Sequence, residues 1–96
     1  MSEREEKIFE QMGELAKKYK VAKIVLFGSR ARRDHREKSD IDIAVYGCQD
    51  FDEFSFAVQE NVWTLLEFDI VNMDCDVSKE LLREIEKDGV IIYEKI

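Results

Sequence analysis

A glycine and a serine closing an apolar run, then ten residues, then two aspartates one residue apart, are the side chains of this sequence best suited to chemistry. Val25-Leu26-Phe27 reads as a buried strand that stops at Gly28, and Ser29 opens a short helical turn through Arg30-Ala31-Arg32. With no Cβ, Gly28 lets the backbone approach a phosphate closely, and the Ser29 hydroxyl and the free N–H groups of the turn can donate to it. Asp40 and Asp42 open a strand that continues through Ala44-Val45. Side chains alternate along a strand, so both carboxylates share one face, with Ile41 and Ile43 behind them. A phosphate-binding turn beside two carboxylates facing one way is what metal-assisted nucleotidyl transfer requires.

Each piece alone has a plainer reading. Gly-Ser after a strand is usually only a turn, and Asp-x-Asp is more often a solvated strand edge. Here the aspartates are interleaved with Ile41 and Ile43 at the start of a core strand, an awkward place for idle charge. Two carboxylates about 4 Å apart repel by roughly 4 kcal/mol at an effective dielectric near 20. Without a counter-ion, one of them keeps its proton. Hard oxygen ligands that also share substrate phosphate oxygens favour Mg²⁺ or Mn²⁺ over zinc, and Cys48, Cys75 and His35 are too few for a zinc set.

The elements that must position these groups follow from periodicity. Ile8, Met12, Leu15, Ala16 and Tyr19 recur on one face of a helix predicted over residues 2–18. Strands are predicted over 21–27 and 40–46, the second ended by Gly47, with a charged loop over 33–39 between them. The Gly28 end of one meets the Asp40 end of the other only if they run antiparallel. A helix over 52–65, with Phe54, Val58, Val62 and Leu65 inward, crosses to a strand over 67–73, which lies parallel to the second if Asp69 at its start is to approach the start of that strand, as the resemblance described below implies. Ser78 caps a last helix through residue 87, with Leu81, Leu82 and Ile85 inward and Gly89 as its stop, before a strand over 90–93. The expected fold is therefore α/β in the α+β sense: order αβαβαβα(β), with a mixed sheet of three to four strands packed with helices. Phe56 and Trp63 lie seven residues apart, off the centre of the apolar stripe. Such a pair either completes the core or forms a partner-binding patch.

Ninety-six residues suggest one domain, 1–96, burying something over about 60% of the unfolded chain's surface. A net charge of −7 and a pI near 4.7 argue against an extended nucleic-acid surface. Charge is uneven, however: residues 30–38 hold five Lys/Arg against two acids, a local +3, so the rest of the chain carries −10. This run is either a solvated loop or a lure for a nucleoside triphosphate, with Arg30, and Arg32 or Lys38, as its cations. Two distant cysteines and no long apolar stretch indicate a cytoplasmic protein with reduced thiols and no membrane partner.

Phe27-Gly28-Ser29-Arg30-Ala31-Arg32 and Ser39-Asp40-Ile41-Asp42-Ile43 resemble the signature of the nucleotidyltransferase superfamily typified by DNA polymerase beta. The closest resemblance is to its minimal nucleotidyltransferases, the MNT proteins, and it covers nearly the whole chain because the order of elements fits as well. Arg33 departs from it, standing where the family commonly has glycine. The resemblance implies a third carboxylate on the strand after the crossover helix, and Asp69 in Glu67-Phe68-Asp69-Ile70-Val71 fits that place, although it also reads as an ordinary exposed strand residue. It implies two Mg²⁺ (or Mn²⁺) ions held by Asp40, Asp42 and Asp69, with Gly28, Ser29 and Arg30 orienting the triphosphate of ATP. It also implies an antitoxin of a HEPN/MNT pair that adenylylates, with AMP from ATP, a tyrosine of its HEPN ribonuclease partner. The alternatives are a small-molecule nucleotidyltransferase of the antibiotic-modifying type, and an idle antitoxin that acts by contact alone.

Overall fold

The Ser2 hydroxyl accepts the Glu5 N–H at 3.2 Å and the Glu5 carboxylate accepts the Ser2 N–H at 3.1 Å, a capping box that starts helix α1, Glu3–Lys18. The computed structural model describes residues 2–62 and 64–95. After α1 come β1 (Lys23–Phe27), the single turn α2 (Ser29–Arg32), β2 (Ile41–Tyr46), α3 (Phe51–Asn61), β3 (Phe68–Asn72), α4 (Lys79–Asp88) and β4 (Val90–Glu94). The expected α+β fold class, with four strands, is the one observed.

The sheet order is β3-β2-β1-β4. β1 runs antiparallel to β2 and β4, while β2 and β3 are parallel, as the need to bring Gly28 and Asp69 to the same end of β2 requires. One face of the sheet, formed by Ile24, Leu26, Ile41, Ile43 and Val45, is buried against Ile8, Met12 and Ala16 of α1 and Phe54 and Val58 of α3. On the other face Val25, Phe27 and Ala44 pack with Ile85 of α4. Strand alternation puts Asp42 on this second face, since Ile41 and Ile43 are fully buried on the first.

Two expectations are corrected, and one alternative is decided. Helix α3 stops at Asn61, with Val62 extended (φ −78°, ψ 119°), and a short turn in which Thr64 Oγ1 accepts the Leu66 N–H at 3.1 Å leads into β3. Leu65, expected inward on that helix, is therefore fully exposed, and Leu66 packs against the core instead. Leu82 is also exposed, because the positions of α4 that face β1 are Leu81 and Ile85, four apart on one side of the helix. Phe56 is 66% exposed and completes no core; its companion Trp63 lies outside the described residues.

Candidate active site

Gly28 leaves β1 with φ 76° and ψ −156°, a conformation that L side chains rarely adopt. A Cβ at this position would also run into the Asp42 carboxylate. Both facts call for glycine, and the second sets the backbone of the turn directly against Asp42. Ser29 then begins α2, whose first N–H groups have no partner within the helix. The Ser29 hydroxyl makes no hydrogen bond to any other described residue.

α2 ends at Arg33, which adopts the left-handed conformation (φ 65°, ψ 24°). This explains why the related pattern has glycine here. The strain, roughly 1–2 kcal/mol for an L residue, is offset by the Arg33 guanidinium, which meets Glu5 Oε1 at 2.9 Å and donates to the Arg30 carbonyl at 3.0 Å.

The sheet register brings the carboxylates together. Asp42 pairs with Phe27 on one side and with Asp69 on the other. Directly paired residues of parallel neighbours lie about 4.8 Å apart with side chains on the same face. Asp40 lies just before β2, and the Ile41 N–H bonded to the Glu67 carbonyl at 2.9 Å fastens the start of β2 to the start of β3. Asp42 is half-buried, while Asp40 and Asp69 are exposed. Among the described residues, none of the three carboxylate groups accepts a hydrogen bond or forms an ion pair. Burial, followed by the charges of Asp69, Asp40 and Glu84, raises the Asp42 carboxyl to about 6, against the opposing charge of Arg32. Their oxygens are not yet gathered into a cage, since no three His, Cys, Asp or Glu side chains among the described residues converge as a metal-holding group. They form an open acidic corner of unpartnered hard oxygen donors, a donor set that suits Mg²⁺ or Mn²⁺ completed by phosphate oxygens.

Arg30, expected to meet the triphosphate, is turned into the protein and only 3% exposed. Its Nη1 donates to Glu5 Oε2 at 3.0 Å, Nη2 to the Glu37 and Ser39 carbonyls at 3.1 and 2.9 Å, and Nε to the Ser39 carbonyl at 3.1 Å. The arginine beside the carboxylates is Arg32, exposed and held by Asp34 Oδ2 and Glu84 Oε1, both at 3.2 Å. Neither Glu5 nor Glu84 has a signal in the sequence. Glu5 reads only as a helix-capping residue and Glu84 as one more acid on a charged helix face, and their partners lie 25 and 52 residues away.

The family described as polymerase beta, nucleotidyltransferase matches residues 10–96. The chain belongs to this family. That places it among enzymes that transfer nucleotidyl groups. Two proteins of Methanocaldococcus jannaschii, each named "Putative protein adenylyltransferase", are similar to it. One is 34% identical over 93% of this chain and 97% of its own length, and the other 37% identical over 81% and 83%. Among solved structures, a chain of a toxin–antitoxin crystal structure with AMP-PNP superposes with a TM-score of 0.67, at 22% identity, over 91% of this chain and 73% of its own. A chain of the complex between tri-AMPylated Shewanella oneidensis HEPN toxin and MNT antitoxin gives a TM-score of 0.65, at 20% identity, over 92% and 71%. At such identities the likeness is one of fold.

Proposed function

We propose that this chain is a single-domain, metal-dependent protein adenylyltransferase that moves AMP from ATP to a hydroxyl of a partner protein. In this reading the acceptor is a tyrosine of a HEPN ribonuclease toxin, the chain is its antitoxin, and the pair acts in the cytoplasm. The observation that carries the proposal is the group of three carboxylates, Asp40, Asp42 and Asp69, left without protein partners beside the Gly28-Ser29 turn. The names of the Methanocaldococcus relatives and the toxin–antitoxin neighbours support the choice of a protein acceptor. Among the described residues, no helix is long and apolar enough to cross a membrane.

Asp40, Asp42 and Asp69 would hold two divalent ions, Mg²⁺ or Mn²⁺. Bound there, such ions stabilise charge on the entering and leaving oxygens of an in-line displacement. Gly28 and Ser29 receive the phosphates through backbone N–H groups and the Ser29 hydroxyl, with the missing Cβ of Gly28 giving room for close approach. Arg32, in place of Arg30, faces the triphosphate tail as its counter-charge. The acceptor hydroxyl oxygen attacks the α-phosphorus, the bond from that phosphorus to pyrophosphate breaks, and Asp69 takes the hydroxyl proton. Because the corner is open, a bound partner can supply both the acceptor and the missing wall, and the exposed Phe56 offers an anchor for it.

Intact-mass measurement of a co-expressed candidate partner tests this. The partner should gain AMP with wild type and none with Asp42→Asn or Asp69→Asn, although both variants should still be recovered in the complex. Neutralising binding with no added mass would favour the idle antitoxin. Rapid modification of a small hydroxylated compound, with no protein recovered, would favour the antibiotic-type enzyme.

A further inference from the structure

Arg30 belongs to α2 and directly follows Ser29, so its backbone moves with the phosphate-binding turn. Its side chain crosses to the loop before β2, where Nε and Nη2 both donate to the Ser39 carbonyl and Nη2 also donates to the Glu37 carbonyl. The Ser39 carbonyl is half of the peptide unit that joins Ser39 to Asp40. On the other side of Asp40, the Ile41 N–H is held by the Glu67 carbonyl of the neighbouring strand. The exposed carboxylate of Asp40 thus rides on a backbone fixed from both directions, once by β3 and once by the turn that carries Ser29. The loop closes on itself through the Arg36 N–H to Ser39 Oγ at 2.9 Å and the Ser39 N–H to the Arg36 carbonyl at 3.0 Å, so it offers Arg30 a formed target.

We infer that Arg30 is a positioning residue that fixes the spacing between the Ser29 turn and Asp40, with Glu5 of α1 as the buried counter-charge that makes this possible. A guanidinium at this depth needs a carboxylate partner, and Glu5, 1% exposed and capped against the Ser2 N–H, provides it while also binding Arg33. The chemistry calls for arginine. Its planar fork serves two carbonyls and a carboxylate at once, whereas a lysine ammonium keeps the charge and loses the fork. An apolar side chain could fill the volume but would leave the Glu37 and Ser39 carbonyls without their donors. The role in metal binding rests on the carboxylate site proposed above.

The experiment compares Arg30→Lys, Arg30→Met and Glu5→Gln with wild type and with Val58→Ala, a core variant that lowers melting without touching the cluster. Mn²⁺ binding is followed by electron paramagnetic resonance, and amide hydrogen exchange of residues 36–41 is followed in the metal-free proteins, all well below melting. Arg30→Lys should weaken Mn²⁺ binding at least tenfold and speed exchange of that loop by a similar factor. Val58→Ala, even at equal loss of melting temperature, should change neither. If the lysine and glutamine variants keep both wild-type Mn²⁺ affinity and wild-type exchange, or if Val58→Ala matches their changes, Arg30 is only a stability contact and the inference falls. Wild type that takes up no Mn²⁺ would sink the metal reading separately, and the exchange measurement would still decide whether Arg30 holds the loop. Should Arg30→Met fail to fold, the lysine and glutamine variants carry the test.

Discussion

Asp42 is where burial and charge collide. Its carboxyl is raised from an ordinary 3.8 to about 6, by burial first and by Asp69, Asp40 and Glu84 next. A carboxyl that titrates higher in the fold than in the unfolded chain is an asset when protonated and a burden when ionised. It costs nothing below about pH 4 and reaches its full cost above about pH 6. That cost is at most about 3 kcal/mol, and less at a corner open to solvent. In chelator at pH 7, Asp42→Asn should therefore melt higher than wild type, and the gap should close as pH falls toward 4. Adding Mg²⁺ should raise the melting of wild type and leave the asparagine variant unmoved. A variant that melts far below wild type in chelator would show the aspartate to be a structural residue. Gly28→Ala presents the opposite case. Its Cβ would strike Asp42 at a backbone angle that alanine resists, so it should lose about 1–2 kcal/mol or more of stability and abolish Mg²⁺-ATP binding in calorimetric titration.

Between elements, the decisive contact is the ionic cluster that joins α1 to α2. Burial pushes the Glu5 carboxyl up, but hydrogen bonds from Arg33, the Ser2 N–H and Arg30, with the charge of Arg33, outweigh it and hold the group at about 2. A carboxyl depressed from 4.5 in this way contributes stability that is fully present above about pH 4.5 and is lost as pH falls toward 2. The contribution is about 3 kcal/mol. Wild type should thus lose stability steeply across that window. Glu5→Gln should be less stable at pH 7 and nearly flat over the same range, which denaturant titrations at a series of pH values will show. Equal acid slopes in the two proteins would mean that the cluster does not link α1 to the turn energetically.

For the whole molecule, the informative feature is what is left uncovered. α1 and α3 seal one face of the sheet, while α4 packs beside β1 on the other and leaves Asp69 and Asp40 exposed to solvent. Phe56 is exposed on α3 as well. Phe56→Ser should shift the stability of the free protein by no more than about 0.5 kcal/mol, yet weaken a partner complex by about 1 kcal/mol or more, several-fold in Kd, in a titration against the partner. Unchanged affinity would move the partner surface elsewhere.

Much of the fold is legible in the sequence. The need for Gly28 and Asp69 to approach the start of β2 dictated one antiparallel and one parallel neighbour for it, because a single meeting point constrains the strand directions, whereas the alternation expected to carry Asp40 does not reach it, since β2 begins at Ile41. The fate of individual side chains was not local. Arg30 read as a phosphate ligand because its neighbours do; that it turns inward depends on Glu5, 25 residues earlier and brought beside it only by the packing of α1. The residue that takes its place beside the carboxylates, Arg32, is held there by Glu84 from α4, 52 residues on. Leu65 followed a helical period that the chain abandons after Asn61, where Val62 turns extended. The sequence determined which groups could do chemistry and which end of the sheet gathers them. The tertiary structure alone decided which arginine is buried against Glu5 and which lies exposed with Glu84 near the carboxylates, because long-range pairing of charges leaves no trace in spacing.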